Sequence, residues 1–236
     1  MRFRVLSLRI RAPRLGKGRR FLACAVFLGL GLTTLTMAAK RFVMPHPTDA
    51  KTFPAHDEHP SENVSIAIDP YDTQPKSSIF NARFLEQRLL PVLFIVSNRG
   101  NQTVVLDGIN VQLVLRDRSK ISPANEDDLY RRLSRTPGND SGASRLPLPI
   151  PPRAPKAGVS REVKDEMDAA RFQPRAVEPG GTQSGFFFFD LSETQASMAG
   201  AHLYVTGMRD GGGNELMFFD IPLDKYLAAS GSAAEP

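Results

Sequence analysis

The chain has 236 residues with 30 basic and 25 acidic side chains, a net charge of +5, one Cys and no Trp. This length allows one domain of ordinary size or at most two small ones. Eight of the basic side chains and no acidic one fall within residues 1–39, so the rest of the chain holds 22 basic against 25 acidic residues, a net charge of −3. The basic character belongs to the N-terminal leader, and the weakly acidic remainder is not suited to binding nucleic acid.

The leader has the form of an export signal. A basic stretch, residues 1–20, precedes nineteen uncharged residues at 21–39, FLACAVFLGLGLTTLTMAA. As a helix this apolar segment would be about 28 Å long and would match a bilayer core. The basic flank is expected to stay in the cytoplasm and to direct the chain from residue 40 onward across the membrane.

Two fates of the leader are open. Its length favours an uncleaved transmembrane helix, which gives an inner-membrane protein with an exported C-terminal domain and makes the cytoplasmic membrane its first partner. Thr36-Met37-Ala38 has the small-x-small form of a signal peptidase site, whose cleavage would give a periplasmic or secreted protein. Cys24 precedes most of the apolar stretch, which argues against lipoprotein processing. Because Cys24 is the single Cys, the exported part cannot form an internal disulfide.

Residues 40–62 are predicted to be an extended tether. They contain four prolines and no sustained hydrophobic period, and at roughly 3 Å per residue they could hold a domain clear of a membrane. His46, His56 and His59 lie here, and His56-Asp57-Glu58-His59 offers the imidazole and carboxylate ligands of a zinc or copper site. A flexible segment bounded by prolines does not hold such ligands rigidly, so a solvated linker is the preferred interpretation.

Short apolar runs separated by turn residues follow the tether, a pattern typical of an antiparallel all-β domain. Residues 89–96 are almost continuously apolar, which predicts a central strand covered on both faces. The turn residues at 97–101 predict a hairpin that returns at 103–106, and a turn or bulge is expected at Asp107-Gly108. The strands predicted in this part are residues 64–68, 80–84, 89–96, 103–106 and 109–115.

Residues 117–177 interrupt the β pattern and are predicted to be an insertion. Residues 123–133 are typical of a short helix, with Ser122 as its N-cap, acidic residues early and basic residues late. Residues 135–156 are rich in Pro, Gly and Ser and include LPLPIPPRAP, which is interpreted as an exposed crossover. Residues 160–172 predict a second short helix.

Strands are predicted to resume at Ser184. Four consecutive phenylalanines at 186–189 are expected to pack on both faces, because an exposed strand of this kind would aggregate. The later elements are strands at 202–208 and 216–221 around a loop at 210–214, a cap at 222–227 and a disordered tail at 228–236. Eight predicted strands favour a single antiparallel sandwich over residues 63–227, with the insertion at about 117–177.

Two segments carry a resemblance. Residues 94–106, FIVSNRGNQTVVL, contain a strand, an Asn-x-Gly turn and a returning strand, and residues 179–185, PGGTQSG, are followed by Phe189-Asp190-Leu191. Together they resemble exported bacterial immunoglobulin-like domains of the immunoprotective-antigen type. The resemblance implies an immunoglobulin-like sandwich on the far side of the membrane, and it transfers no catalytic residue.

No residue pattern has the spacing of a catalytic, cofactor or metal site, so the sequence assigns no such residue. His202 begins a strand, and the acidic triplet at 126–128 is explained by the start of a helix. The chain is predicted not to be an enzyme and to be an interaction module that contacts an envelope protein or polymer. Two alternatives are kept: a periplasmic metal-handling protein that uses His46, His56 and His59, and a hydrolase whose carboxylates only the fold brings together.

Overall fold

The chain folds mainly into antiparallel β-structure. The computed structural model describes residues 42–134, 158–194 and 197–232, which belong to a unit from Lys40 to Pro236. The strands are β1 (Ala55–His59), β2 (Val64–Pro70), β3 (Leu89–Asn98), β4 (Val104–Val105), β5 (Asn110–Val114), β6 (Lys120–Ile121), β7 (Ala176–Val177), β8 (Thr182–Asp190), β9 (His202–Thr206), β10 (Arg209–Asp210) and β11 (Phe219–Pro222). The helices are α1 (Gln74–Ser77), α2 (Glu126–Leu133), α3 (Arg161–Ala170) and α4 (Asp224–Ser232), with 3-10 turns at Ala50–Thr52 and Leu85–Gln87.

These strands form three sheets. The first sheet has the order β1-β2-β3-β8, the second has the order β11-β9-β5-β6, and the third consists of the two-residue strands β10-β4-β7. All neighbouring strands are antiparallel. The predicted all-β class is confirmed, and so are the predicted strands that correspond to β2, β3, β5, β8, β9 and β11.

One apolar core is shared by the first and second sheets. Because side chains alternate between the two faces of a strand, each sheet turns one set of apolar residues toward it. Phe94 of β3, Leu203 of β9 and Ile221 of β11 are fully buried members of this core. The two large sheets therefore form a sandwich-like arrangement.

The opposite face of the first sheet is also buried, and here the cover is helical. Leu93 of β3 and both Phe186 and Phe188 of β8 belong to a second core together with Leu129 of α2 and Met167 of α3. Because both faces are covered, all ten residues of β3 are buried, as the continuous apolar run predicts. The predicted insertion therefore contributes a structural layer.

The prediction of an extended tether over residues 40–62 is wrong for much of that segment. Residues 55–59 form β1, which pairs with β2 in a register from Ala55↔Ile68 to His59↔Val64. Asp49 caps the turn before β1, and the buried Ala50 N–H donates to Ser97 Oγ at 3.0 Å. An edge strand needs few large apolar side chains, so its polar sequence does not distinguish it from a linker.

Three further predictions need correction. Residues 80–84 do not form a strand, although Phe80, Ala82 and Phe84 are buried as the alternation predicts. The strand β4 pairs with β7 and β10, and the predicted hairpin with β3 is wrong. The predicted disorder from residue 228 is wrong as far as Ser232, because α4 extends to that residue.

The predictions for residues 1–39, 135–156 and 233–236 lie outside the described residues. Helices in the described part of the chain are too short or too polar to cross a bilayer. The predicted span at 21–39 is not among the residues that this finding concerns.

Candidate functional site

The outer face of the second sheet carries an aromatic pair, the half-buried Tyr204 and the exposed Phe218. Leu203, Val205 and Phe219 take the inner positions of β9 and β11, so the alternation of side chains turns Tyr204 outward. Phe218, which precedes β11, is 49% exposed, and its ring centroid lies 5.2 Å from that of Tyr204. The pair offers rigid apolar surface to solvent.

Neighbouring side chains extend this surface. Met217 is 61% exposed. Asp220 and Gln112 lie on either side of Tyr204 in the strand register, and Asp220 Oδ1 is 3.6 Å from His202 Nε2. We call Tyr204, Met217, Phe218 and Asp220, with Gln112 and His202, the outer-sheet patch. Its centre is aromatic and its margin is polar, which is the usual arrangement of a protein interface.

The backbone beneath the patch is fixed by two carboxylates, one from β1 and one from the turn between β1 and β2. Asp57 Oδ2 accepts the Asp220 N–H at 3.0 Å, and Glu62 Oε1 accepts the Met217 N–H at 2.9 Å. The His59 ring stacks on Phe219 with centroids 3.8 Å apart. These contacts satisfy N–H groups of an edge strand that would otherwise be open to another chain. Binding at the patch would therefore use side chains on a preorganised backbone.

The histidines of the HDEH motif do not converge on one point. His56 and His59 stand at odd spacing on β1 and so face opposite sides of the sheet. His56 Nδ1 lies 2.6 Å from the Phe53 carbonyl oxygen, and His59 Nδ1 donates to Glu62 Oε2 at 3.0 Å. His46 lies in the irregular segment before the first turn. Across residues 42–134, 158–194 and 197–232, no group of three or more His, Cys, Asp or Glu side chains is arranged to hold a metal ion.

A second polar cluster joins the end of β2 to α4. The Lys76 ammonium forms an ion pair with Asp69 and lies 4.6 Å from the centroid of the Tyr226 ring. Tyr226 donates its hydroxyl proton to Asp72 Oδ1 at 2.6 Å. Burial raises the pKa of Asp69 despite the ion pair, and burial together with the charge of Asp69 raises the pKa of Tyr71 to about 12. The fold thus brings the carboxylates of Asp69 and Asp72 together. Their partners, Lys76 and Tyr226, belong to the domain itself, so the cluster holds α4 against the rest of the domain.

An apolar groove of about 280 Å³ lies beside this cluster, with Asp72 and Arg88 as its charged residues. Leu89, Leu90 and Leu191 form part of its wall. The Arg88 guanidinium donates to the carbonyl oxygens of Leu191 and Thr194 at 3.2 and 2.7 Å. Its charge is directed into a loop, so this groove does not present the converging polar groups that acid–base chemistry needs.

Another ion pair ties the helical layer to the sheet. The Arg132 guanidinium of α2 contacts Asp190 Oδ2 at 2.7 Å. Burial alone would raise the pKa of Asp190, but hydrogen bonds from Ser192 and the Arg132 guanidinium outweigh it and hold this pKa below its usual value. This contact is structural, because it fixes α2 at the end of β8.

The sequence pattern alone does not reveal the outer-sheet patch. The signal was present in the pair Phe218-Phe219, because neighbouring residues of extended chain point to opposite faces and this sheet has a core on one face only. Which of the two phenylalanines faces outward depends on the register with β9.

No protein-family model matches the chain, and no curated protein matches it.

Proposed function

We propose that the protein is an exported immunoglobulin-like module, held at the cytoplasmic membrane by residues 21–39, that binds an envelope protein through the outer-sheet patch. The observation that carries the proposal is the solvent-facing Tyr204–Phe218 pair, in which Phe218 is exposed and Tyr204 half-buried, on a fixed backbone. Aromatic residues and Met are enriched at the centres of protein interfaces, and aromatic side chains bury much area at little cost in conformational entropy.

Strand order supports the immunoglobulin-like class. The adjacent strands β2-β3-β8 and the sheet β11-β9-β5-β6 correspond to the A-B-E and G-F-C-C′ arrangement of an immunoglobulin sandwich. In this correspondence β1 is an additional strand beside A, and α2 and α3 lie between C′ and E. The Asn-x-Gly turn that begins at Asn98 has a structural role, since Asn98 Nδ2 donates to the Val177 and Gln102 carbonyl oxygens at 2.9 and 2.7 Å.

The leader supports a location at the cytoplasmic membrane with the domain exported. Its eight basic residues followed by nineteen uncharged ones orient a chain with the N-terminus in the cytoplasm. The exported part contains no Cys and buries two apolar cores, so its folding does not depend on disulfide formation.

Site-specific crosslinking in intact cells tests the proposal. The full chain carries a photoreactive benzoylphenylalanine at position 218 or, as a control, at Asp165 of α3, whose side chain is 72% exposed. Illumination should give a crosslinked product with an exported or membrane protein from position 218 and none from position 165. Tyr204→Ser should reduce its yield, whereas Tyr204→Phe should retain it.

The absence of a product at position 218 would overturn the proposed binding face, and so would equal products at both positions. Protease accessibility in the same cells tests the location separately. A domain that is protected in spheroplasts and digested only after lysis would overturn export.

A further inference from the structure

The apolar groove beside α4 has a carboxylate in its lining. Leu89 and Leu90, at the start of β3, and Leu191, directly after β8, contribute apolar surface, and Asp72 contributes the carboxylate. Asp72 is half-buried. The groove therefore combines hydrocarbon walls with one carboxylate that is partly shielded from water.

The polar cluster next to the groove contains more negative than positive charge. Its charged groups among the described residues are the carboxylates of Asp69 and Asp72 and the ammonium of Lys76, which pairs with Asp69. Asp72 Oδ1 instead accepts a hydrogen bond from the uncharged Tyr226 hydroxyl at 2.6 Å. Burial is the main cause of the raised pKa of Asp69, and the charge of Asp72 adds to it. A cation at Asp72 would reduce the repulsion between the two carboxylates.

Arg88 also lines the groove, but it does not act as that cation. Its guanidinium donates to the carbonyl oxygens of Leu191 and Thr194, in the loop after β8. Arg88 is exposed, so water and salt screen its charge, whereas the charge of the half-buried Asp72 is screened less. A cation in the groove is therefore attracted by Asp72 more strongly than it is repelled by Arg88.

The geometry at Asp72 favours an ammonium over a guanidinium. One oxygen of Asp72 is used by the Tyr226 hydroxyl, which leaves Oδ2 as the main free acceptor. A guanidinium binds a carboxylate best through both oxygens, whereas an ammonium acts as a point charge with three rotatable donors. Lys76 shows that the cluster accommodates such a group, since its ammonium pairs with Asp69 and lies 4.6 Å from the centroid of the Tyr226 ring.

We propose that the groove binds a lysine side chain of a partner protein, with its methylene groups along the leucines and its ammonium on Asp72. Lysine side chains bury their apolar stem along hydrocarbon surface while the charged end stays at a polar site. The volume of about 280 Å³ lies just below the range of about 300–1,000 Å³ typical of sites for drug-sized ligands and cofactors. A groove of this size suits a single long side chain.

This lysine site is separate from the outer-sheet patch. Its apolar lining and Asp72 belong to the first sheet and the segments next to it, whereas Tyr204 and Phe218 lie on the outer face of the second sheet. The inference goes beyond the proposed function and depends on neither the leader nor the patch. Failure of either proposal leaves the other standing.

Methyl NMR of the full chain in a non-ionic detergent tests the site. The leucine methyl groups are labelled with carbon-13, and the chain is titrated with the peptide acetyl-Gly-Lys-Gly-amide. The matched probe has norleucine in place of lysine, which keeps the four-carbon stem and lacks the ammonium. Asp72→Asn removes the charge and keeps an acceptor for the Tyr226 hydroxyl. Asp165→Asn on α3, whose side chain is 72% exposed, is the control variant.

The lysine peptide should shift the methyl signals of Leu90 and Leu191 until they saturate, and it should leave Leu203 in the core between the two large sheets unchanged. The affinity should fall at least about tenfold for the norleucine peptide and for Asp72→Asn, because each removes a charge-assisted hydrogen bond. It should be unchanged in Asp165→Asn.

Equal affinities for the two peptides would overturn the lysine site, and so would the absence of a saturating shift at Leu191. Saturation by n-pentylammonium without saturation by the lysine peptide would overturn the assignment to a partner protein. Circular dichroism and the Leu203 signals report whether Asp72→Asn keeps the fold. If this variant unfolds, the comparison of the two peptides on the unchanged chain decides.

Discussion

Replacement of Glu166 by Ala tests whether the helical layer is part of the fold. Glu166 lies on α3 and is only 3% exposed. Its carboxylate accepts hydrogen bonds from the Asn81 N–H at 2.8 Å, from Asn81 Nδ2 at 2.7 Å and from the Ala82 N–H at 3.2 Å. The residue thus joins α3 to the loop that carries Phe80 into the second core.

The expected loss of stability follows from the groups that the substitution leaves behind. A buried N–H without a partner costs about 1–3 kcal/mol. Asn81 is exposed, so water can replace the carboxylate there, whereas Ala82 is buried and its N–H stays unpaired. With the lost packing of the side chain, Glu166→Ala should lower the free energy of unfolding by about 2–3 kcal/mol. Glu166→Gln keeps one acceptor oxygen and should cost about 1 kcal/mol.

Urea denaturation of the chain from Lys40 onward measures this difference. Circular dichroism is the appropriate signal, because the chain has no Trp. Asp165→Ala is the control on the same helix, since its side chain is 72% exposed and its nearest contact with Arg161 is 4.0 Å; it should change stability by less than about 0.5 kcal/mol. A loss for Glu166→Ala no larger than that of the control would refute the view that α3 is an integral layer.

Three other substitutions test separate features of the fold. Gly185→Ala would place a Cβ 2.3 Å from the Phe172 Cα and should cost roughly 3 kcal/mol or more in urea denaturation, whereas Gly158→Ala, which has open space around it, should be nearly neutral. Asp190→Asn should lower the free energy of unfolding by about 1 kcal/mol at neutral pH. Because the pKa of Asp190 is lowered in the folded state, this difference should be full above about pH 4 and disappear as the pH falls through the folded pKa. A difference that stays constant across the acid range would contradict a stabilising role for the Asp190 carboxylate. Tyr226→Phe removes the hydroxyl that binds Asp72. It should raise the rate of amide hydrogen exchange in α4 and leave that rate unchanged in β3.

The sequence predicts those elements whose signal is local and strong. The apolar run of β3 and the four phenylalanines of β8 predict strands that are buried on both faces. The short helix predicted over residues 160–172 corresponds to α3, and the Ser160 Oγ caps it by accepting the Val163 N–H at 3.4 Å. These predictions need no knowledge of which strands pair.

The errors arise where tertiary contacts outweigh local signals. The Asn-Arg-Gly-Asn turn predicts a hairpin of β3 with β4, but β8 pairs with β3 over nine positions and takes that edge. Ser122 is as good a cap as Asn125, yet the Ala124 N–H donates to the Phe188 carbonyl oxygen at 2.8 Å. That bond continues the sheet past residue 122, so α2 begins later, with Asn125 as its cap.

The candidate site was less predictable than the fold. Strand positions follow from the pattern, but the face on which Phe218 lies depends on the pairing of β11 with β9. The carboxylates of Asp57 and Glu62 come from a segment whose polar sequence indicates a linker. Such a site is defined by contacts between residues more than 150 positions apart, which no local pattern contains.

The pairing of β3 with β8 has a consequence for how the chain is made. Leu89 pairs with Asp190, 101 residues later, so at a synthesis rate of about 5–20 residues per second β3 waits roughly 5–20 s for its second neighbour. During that interval β2, β5 and α2 are already synthesised, but the edge of β3 that pairs with β8 stays open to other chains. Shielding of this edge until β8 is synthesised should therefore limit aggregation of the chain.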